Sequence, residues 1–161
     1  KDLARIDFAD YIRHLTAHLL RSYSVHSHGV NLKVNVDKIL LDIDTAIPCG
    51  LIINELVSNS LKHAFPRGTA GEIRIDLHEN PDGKMVLMVG DNGAGLPSEI
   101  DFRNTESLGL QLVSTLTDQL DGTLELDRNQ GTTFKILLSP HNGFAAQGVS
   151  DGVHSRLDLP F

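Results

Sequence analysis

The sequence predicts a two-layer α/β (α+β) sandwich, in which a mixed, mostly antiparallel sheet is covered on one face by three helices. Three observations carry this. Apolar residues recur at helical spacing in three segments. Strand-like segments between them are short and joined by turns. The 161 residues, 40% hydrophobic and 22% charged, suffice for one core without disulfide staples.

Asp7 can cap a first helix carrying Phe8, Ile12, Leu15 and Leu19 on one stripe. After a loop over 22–31, strands are expected at Leu32–Val36 and Ile39–Ile43. A long helix then starts at Asp44 or Thr45, with Pro48 in or near its first turn. It runs to about Ala64 and stops before Pro66, because the residue preceding proline avoids the helical region. Ile73, Ile75 and Leu77 alternate with polar neighbours, as in a strand with one wet face. Asn80-Pro81-Asp82-Gly83 is a turn. Met85–Val89 is continuously apolar, the pattern of a central strand covered on both faces. Leu108 to Leu120 reads as a third helix ended by Asp121-Gly122, and Thr123–Asp127 with Thr132–Leu138 as a hairpin. The domain is expected over 1–138, and 139–161 as a poorly ordered tail.

Composition narrows the function. With 14 basic against 21 acidic residues the net charge is −7, which disfavours a nucleic-acid partner. The longest apolar stretch, Ala46 to Ile53, is too short to span a bilayer, so no direct membrane contact is expected. One cysteine, Cys49, excludes an internal disulfide and any multi-cysteine metal site, and a small core residue is its expected role. The expected setting is cytoplasmic. The chain opens on Lys1, as a piece of a longer protein would.

Four motifs carry chemistry. Glu55, Asn59, Lys62 and His63 fall at i, i+4, i+7 and i+8 on the long helix, opposite a small or apolar stripe of Ile53, Leu56, Val57, Ser60, Leu61 and Ala64 that can pack on a sheet. A carboxylate, an amide and a cation in a row suit Mg²⁺ that keeps its waters and bridges phosphates, although a solvated helix face looks the same. Asp91-Asn92-Gly93-Ala94-Gly95-Leu96 follows the apolar strand, where a carboxylate can accept a hydrogen bond from an amino group and glycines allow close approach. A plain strand-exit turn is the alternative. Ser107-Leu108-Gly109-Leu110 puts a glycine in the first turn of a helix, whose free N–H groups favour phosphate, or which merely packs closely. Gly131-Thr132-Thr133 opens the last strand, where a hydroxyl could reach a base or simply serve the hairpin.

In this order and on these elements, the four motifs resemble those of the GHKL superfamily (gyrase, the heat-shock chaperone, histidine kinases, mismatch repair), whose ATP site is the Bergerat fold. Glu55-x-x-x-Asn59 resembles its N box, Asp91-x-Gly93-x-Gly95 the first glycine box, Leu108-Gly109-Leu110 the second and Gly131-Thr132 the third. The wording Ile53-Asn54-Glu55-Leu56 and Leu61-Lys62-His63-Ala64-Phe65 is similar to that of sensor histidine kinases, in the type-2 dimerisation subfamily related to the HWE kinases.

The resemblance implies an ATP-binding catalytic domain that uses Mg²⁺. Asn59 would be the metal ligand, and Glu55 would polarise the incoming nucleophile or orient the site. Asp91 would bind the adenine amino group, supported by Thr132 or Thr133. Lys62 would neutralise phosphate charge, and His63 would line the nucleotide pocket. Leu108, Gly109 and Leu110 would meet the phosphates, and Gly93, Gly95 and Leu96 would bind the nucleotide through close backbone approach. Implied partners are ATP and ADP, an upstream histidine-containing dimerisation domain and a response regulator. Ser107 replaces a glycine common in kinases, Phe102 is the weak candidate for an F box, and the expected lid, Leu96 to Glu106, is short.

No acceptor histidine is evident. His14 and His18 lie on the first helix outside an H-x-x-x-N-type setting, and His26 and His28 lack a second ligand cluster. A serine kinase that inhibits a sigma factor, or an ATP-gated conformational switch, are the competing readings on the same fold.

Overall fold

The structure is a computed structural model that describes residues 4–23, 29–65, 69–94, 108–139 and 144–146. Its principal sheet has five strands in the order β2-β4-β5-β7-β6: β2 (Val30–Val36), β4 (Gly71–Glu79), β5 (Met85–Asp91), β6 (Thr123–Asp127) and β7 (Thr132–Leu138). The β2–β4 pair is parallel and the other three pairs are antiparallel. Three helices, α1 (Phe8–Ser22), α2 (Ile43–Asn59) and α3 (Leu108–Gln119), complete the expected sandwich.

Strand alternation decides which residues meet the helices. Ile73, Ile75 and Leu77 of β4, Met85, Leu87 and Val89 of β5, and Phe134, Ile136 and Leu138 of β7 join one core with Ile12 of α1, Ile53 and Val57 of α2, and Val113 of α3. Leu87 at the centre is wholly buried, so Leu87→Ala should cost about 2–5 kcal/mol. All seven residues of β5 are buried, as expected of the middle strand. Asp76 faces away from the helices on β4, opposite Met88 of β5 in the pairing register.

The local chemistry shows why the elements start and stop where they do. Asp7 caps α1 by accepting from the Asp10 N–H at 3.2 Å. The start of α2 differs from the expected Asp44 or Thr45. Asp42 is the cap, accepting from the Thr45 N–H at 3.0 Å, so the helix begins at Ile43 and Pro48 lies beyond the first turn. The α3 stop follows the Asp121-Gly122 signal: Asp121 adopts φ 53°, and the Gly122 N–H reaches the Thr117 carbonyl at 2.9 Å.

A three-stranded sheet in the order β1-β3-β8 was not foreseen as a unit. Its strands are β1 (Arg5–Asp7), β3 (Ile39–Asp42) and β8 (Phe144–Ala146). β8 falls within the stretch read as a tail, and its backbone pairs antiparallel with β3. Among the described residues, no helix is long and apolar enough to cross a membrane.

Candidate functional site

The site forms where the C-terminal end of α2, the end of β5 and the start of α3 converge. The α-helical period of α2 holds to Asn59 and gives way there to a π turn over Ser60–Ala64. A π turn widens the helix locally, which rotates the residues that follow away from their expected phase; such turns are frequent at functional sites. Glu55 and Asn59 are half-buried, whereas Lys62 and His63 are exposed. The Lys62 ammonium lies 5.7 Å from the centre of the Tyr23 ring at the end of α1. The expected row of carboxylate, amide and cation therefore breaks after Asn59, and Tyr23 joins it as a neighbour that no sequence spacing pointed to.

Gly109 explains how α3 meets α2. A Cβ at Gly109 would lie 2.6 Å from Glu55 Oε2 and 3.6 Å from Asn59 Nδ2. Glycine is what lets the first turn of α3 come against both groups. Because α3 starts at Leu108, the N–H groups of Leu108, Gly109 and Leu110 belong to the turn that has no intrahelical acceptors. A carboxylate, an amide and a helix N-terminus thus share one small volume.

Asp91 ends the central strand on the helix side of the sheet and is buried. The Ser60 hydroxyl donates to its Oδ2 at 2.7 Å, and the Gly93 N–H donates to its Oδ1 at 3.0 Å. Burial pushes the Asp91 carboxyl above the usual range, and the hydrogen bonds from Ser60, Gly93 and the Thr132 backbone oppose that shift. With three donors on a carboxylate that offers about four acceptor positions, Asp91 retains capacity for another, which suits an amino group arriving from a ligand. Ser60 is a contributor that sequence reasoning placed in the packing stripe of α2. Its adjacency to Asn59 was visible, but its partner 31 residues away was not.

The turn after β5 packs tightly onto the π turn. The Ala94 N–H donates to the Ala64 carbonyl at 2.8 Å, and a side chain at Gly93 would run into that same carbonyl. Of the two threonines, Thr132 is buried and pairs in register with Asp91. Thr133 points to the opposite face, against Gly90, and does not join the cluster. Gly95, Leu96, the expected lid to Glu106, Ser107, His26 and His28 lie outside the described residues, as does the side chain of Leu108. Cys49 is buried in the core with its thiol pushed up to about 12 by burial.

The chain matches the family described as Histidine kinase-, DNA gyrase B-, and HSP90-like ATPase over residues 44–142. It is 29% identical over 133 residues to Blue-light-activated histidine kinase 2 of Erythrobacter litoralis, covering 79% of this chain and 38% of that protein. It is 38% identical over 97 residues to the sensor histidine kinase PdtaS of Mycobacterium tuberculosis, covering 58% of this chain and 19% of that one. A solved blue-light activated histidine kinase of Erythrobacter litoralis shares the fold, with a TM-score of 0.75 at 23% identity, covering 83% of this chain and 45% of that one. The chain spans well under half the length of these curated relatives. It belongs to the family of histidine kinase-, DNA gyrase B- and HSP90-like ATPases, and the relatives it resembles are sensor histidine kinases.

Proposed function

We propose that this chain is the ATP-binding catalytic domain of a two-component sensor histidine kinase, of the type-2 dimerisation group related to the HWE kinases. The observation that carries the reading is the approach of Gly109, in the first turn of α3, to Glu55 and Asn59 of α2. Asp91 accepts a hydrogen bond from the adenine amino group, oriented for it by Ser60 and Gly93. The backbone N–H groups of Leu108, Gly109 and Leu110 hold phosphate oxygens.

The residues present fit Mg²⁺: the side-chain amide of Asn59, whose Nδ2 lies 3.6 Å from the place of a Cβ at Gly109, sits at the first turn of α3 and carries a neutral oxygen, and such an ion needs few protein ligands. Asn59 would hold the ion, which when bound offsets charge on the phosphates. Lys62 adds a mobile positive charge. Glu55 takes the imidazole N–H proton as the acceptor nitrogen bonds the γ-phosphorus and the bond to the β–γ bridging oxygen breaks, leaving ADP. The acceptor histidine lies upstream on a dimerisation domain of the longer protein, and the phosphoryl group passes from it to a response regulator. The domain works in the cytoplasm.

The test is phosphorylation of the longer protein by γ-labelled ATP and Mg²⁺. The label is expected on histidine, acid-labile and base-stable, and Asn59→Ala should abolish it. Label on serine would replace this reading with the sigma-factor-inhibiting kinase. Tight nucleotide binding with no transfer would favour the conformational switch.

A further inference from the structure

Lys62 meets the rest of the protein through an aromatic ring. Its ammonium lies 5.7 Å from the centre of the Tyr23 ring, inside the roughly 6 Å over which a cation is attracted to a ring face. Among the described residues Lys62 makes no ion pair with a carboxylate. Lys33 on β2 is the contrast, with its ammonium 3.4 Å from Glu72 Oε2. A carboxylate partner offsets a lysine's charge, whereas a ring attracts the ammonium through its quadrupole and leaves that charge in place. Lys62 is therefore steadied and still available to an anion.

Tyr23 can act as a support because it is itself fixed. It is the C-terminal cap residue of α1, its N–H donating to the Leu19 carbonyl at 3.0 Å, and its half-buried side chain packs against the hydrophobic core. A tyrosine has few side-chain torsions and loses little freedom on being held. Lysine is the opposite, a point charge on a flexible four-carbon stem that must be ordered before it holds a phosphate. The π turn over Ser60–Ala64 adds to that need. It takes Lys62 out of the α-helical phase that Glu55 and Asn59 share, so the helix alone no longer aims the ammonium along their face. The Tyr23 ring, from outside α2, gives the ammonium a preferred position.

We propose that Tyr23 is a positioning residue for the nucleotide phosphates, its ring holding the Lys62 ammonium, three residues beyond Asn59, ready to meet the phosphate oxygens. Holding the ammonium beforehand lowers the ordering cost of binding, which raises affinity without a new contact to the ligand. Tyr23 acts through Lys62 alone, so its influence follows the phosphates and not the base. The inference rests on the kinase reading above, which puts the phosphates at the first turn of α3 beside Glu55 and Asn59.

The experiment titrates this chain with Mg-ATP by calorimetry and with adenosine by chemical-shift change, as a double-mutant cycle on Tyr23 and Lys62. Tyr23→Leu keeps an apolar side chain against the core and removes the ring. It should weaken ATP about twofold to fivefold, as expected of a cation–π contact with an exposed lysine. Tyr23→Phe keeps the ring and should stay within about 1.5-fold of wild type. Adenosine, which has no phosphate, should bind all variants alike. Lys62→Gln should weaken ATP about tenfold, and adding Tyr23→Leu to it should cost no more. Equal losses of ATP and adenosine affinity in Tyr23→Leu would make Tyr23 a packing residue and overturn the proposal. So would a full further loss from Tyr23→Leu in the Lys62→Gln background, or ATP affinity unchanged by Tyr23→Leu alone. Absence of saturable ATP binding by the wild-type chain would overturn the kinase reading and this inference with it, an outcome distinct from any pattern among the variants.

Discussion

Asp91 and Asp76 are both buried aspartates on adjacent strands of one sheet, and their surroundings differ. Asp91, on β5, faces the helices and takes donors from Ser60 and Gly93 on its two oxygens. Asp76, on β4, faces away, and its Oδ2 has no hydrogen-bond partner among the described residues, although Asn35, Arg74 and His78 favour its charged form. Burial holds both carboxyls above the usual range. The difference separates a carboxylate held in one orientation by donors on both oxygens from one that merely bears the cost of burial. A raised pKa alone would not tell them apart; the donors do.

The comparison can be broken most severely by Asp91→Asn. Calorimetry should detect no ATP binding, because the amide presents a donor where the adenine amino group needs an acceptor. The folded domain should lose no more than about 1 kcal/mol of stability, since one buried charge is removed as its hydrogen bonds are weakened. Asn59→Ala should come next, abolishing the Mg²⁺ dependence of nucleotide affinity while weaker, metal-independent binding survives. Gly109→Ala should weaken ATP binding by about tenfold, because its methyl group would press on Glu55 at 2.6 Å and move the first turn of α3. Ser60→Ala should be milder, weakening ATP about threefold to tenfold by freeing Asp91 to turn, at a cost of roughly 0.5–1.5 kcal/mol.

Asp76→Asn should have the smallest effect on function and a distinct effect on stability. An unfolded aspartate loses its proton near ~3.9, while folded Asp76 holds its proton to higher pH. Across that window the folded state binds more protons, so the Asp76 contribution makes stability fall as pH rises. Above the raised pKa the penalty is complete and constant. Melting curves should therefore show Asp76→Asn raising the melting temperature at pH 7 and changing it little below about pH 3.9, where both states are protonated. ATP affinity should stay within about twofold of wild type. A loss of ATP binding on a par with Asp91→Asn would erase the distinction between the two sites.

Much of the fold was legible because its signals are local. The Asp7 cap, the stripe of Phe8 and Ile12, the Asn80–Gly83 turn and the apolar run of β5 each specify an element within a few residues. The α2 start was misplaced because two aspartates, Asp42 and Asp44, both look like caps; the bond to the Thr45 N–H selects Asp42. β1 has three residues and no turn signal, and its pairing with β3 is a tertiary fact that no local pattern encodes.

The candidate site was legible where a motif is contiguous and illegible where chain ends meet. Glu55, Asn59 and Asp91 stood out by type and spacing. The π turn did not, since Ser60–Ala64 continues the composition of α2 without a break. Lys62 consequently sits over Tyr23 rather than in a simple row, and Ser60 serves Asp91 rather than only packing. The threonine pair Thr132-Thr133 was ambiguous by sequence; in the sheet Thr132 pairs in register with Asp91 and Thr133 with Gly90.

The most direct test of the central claim, that Asp91 makes this an adenine-selective nucleotide site, is calorimetric titration of the chain with ATP and with GTP, each with and without Mg²⁺. Saturable binding that prefers ATP, strengthens with Mg²⁺ and disappears in Asp91→Asn is the predicted result. Equal affinity for GTP, or ATP binding that survives Asp91→Asn unchanged, would contradict it.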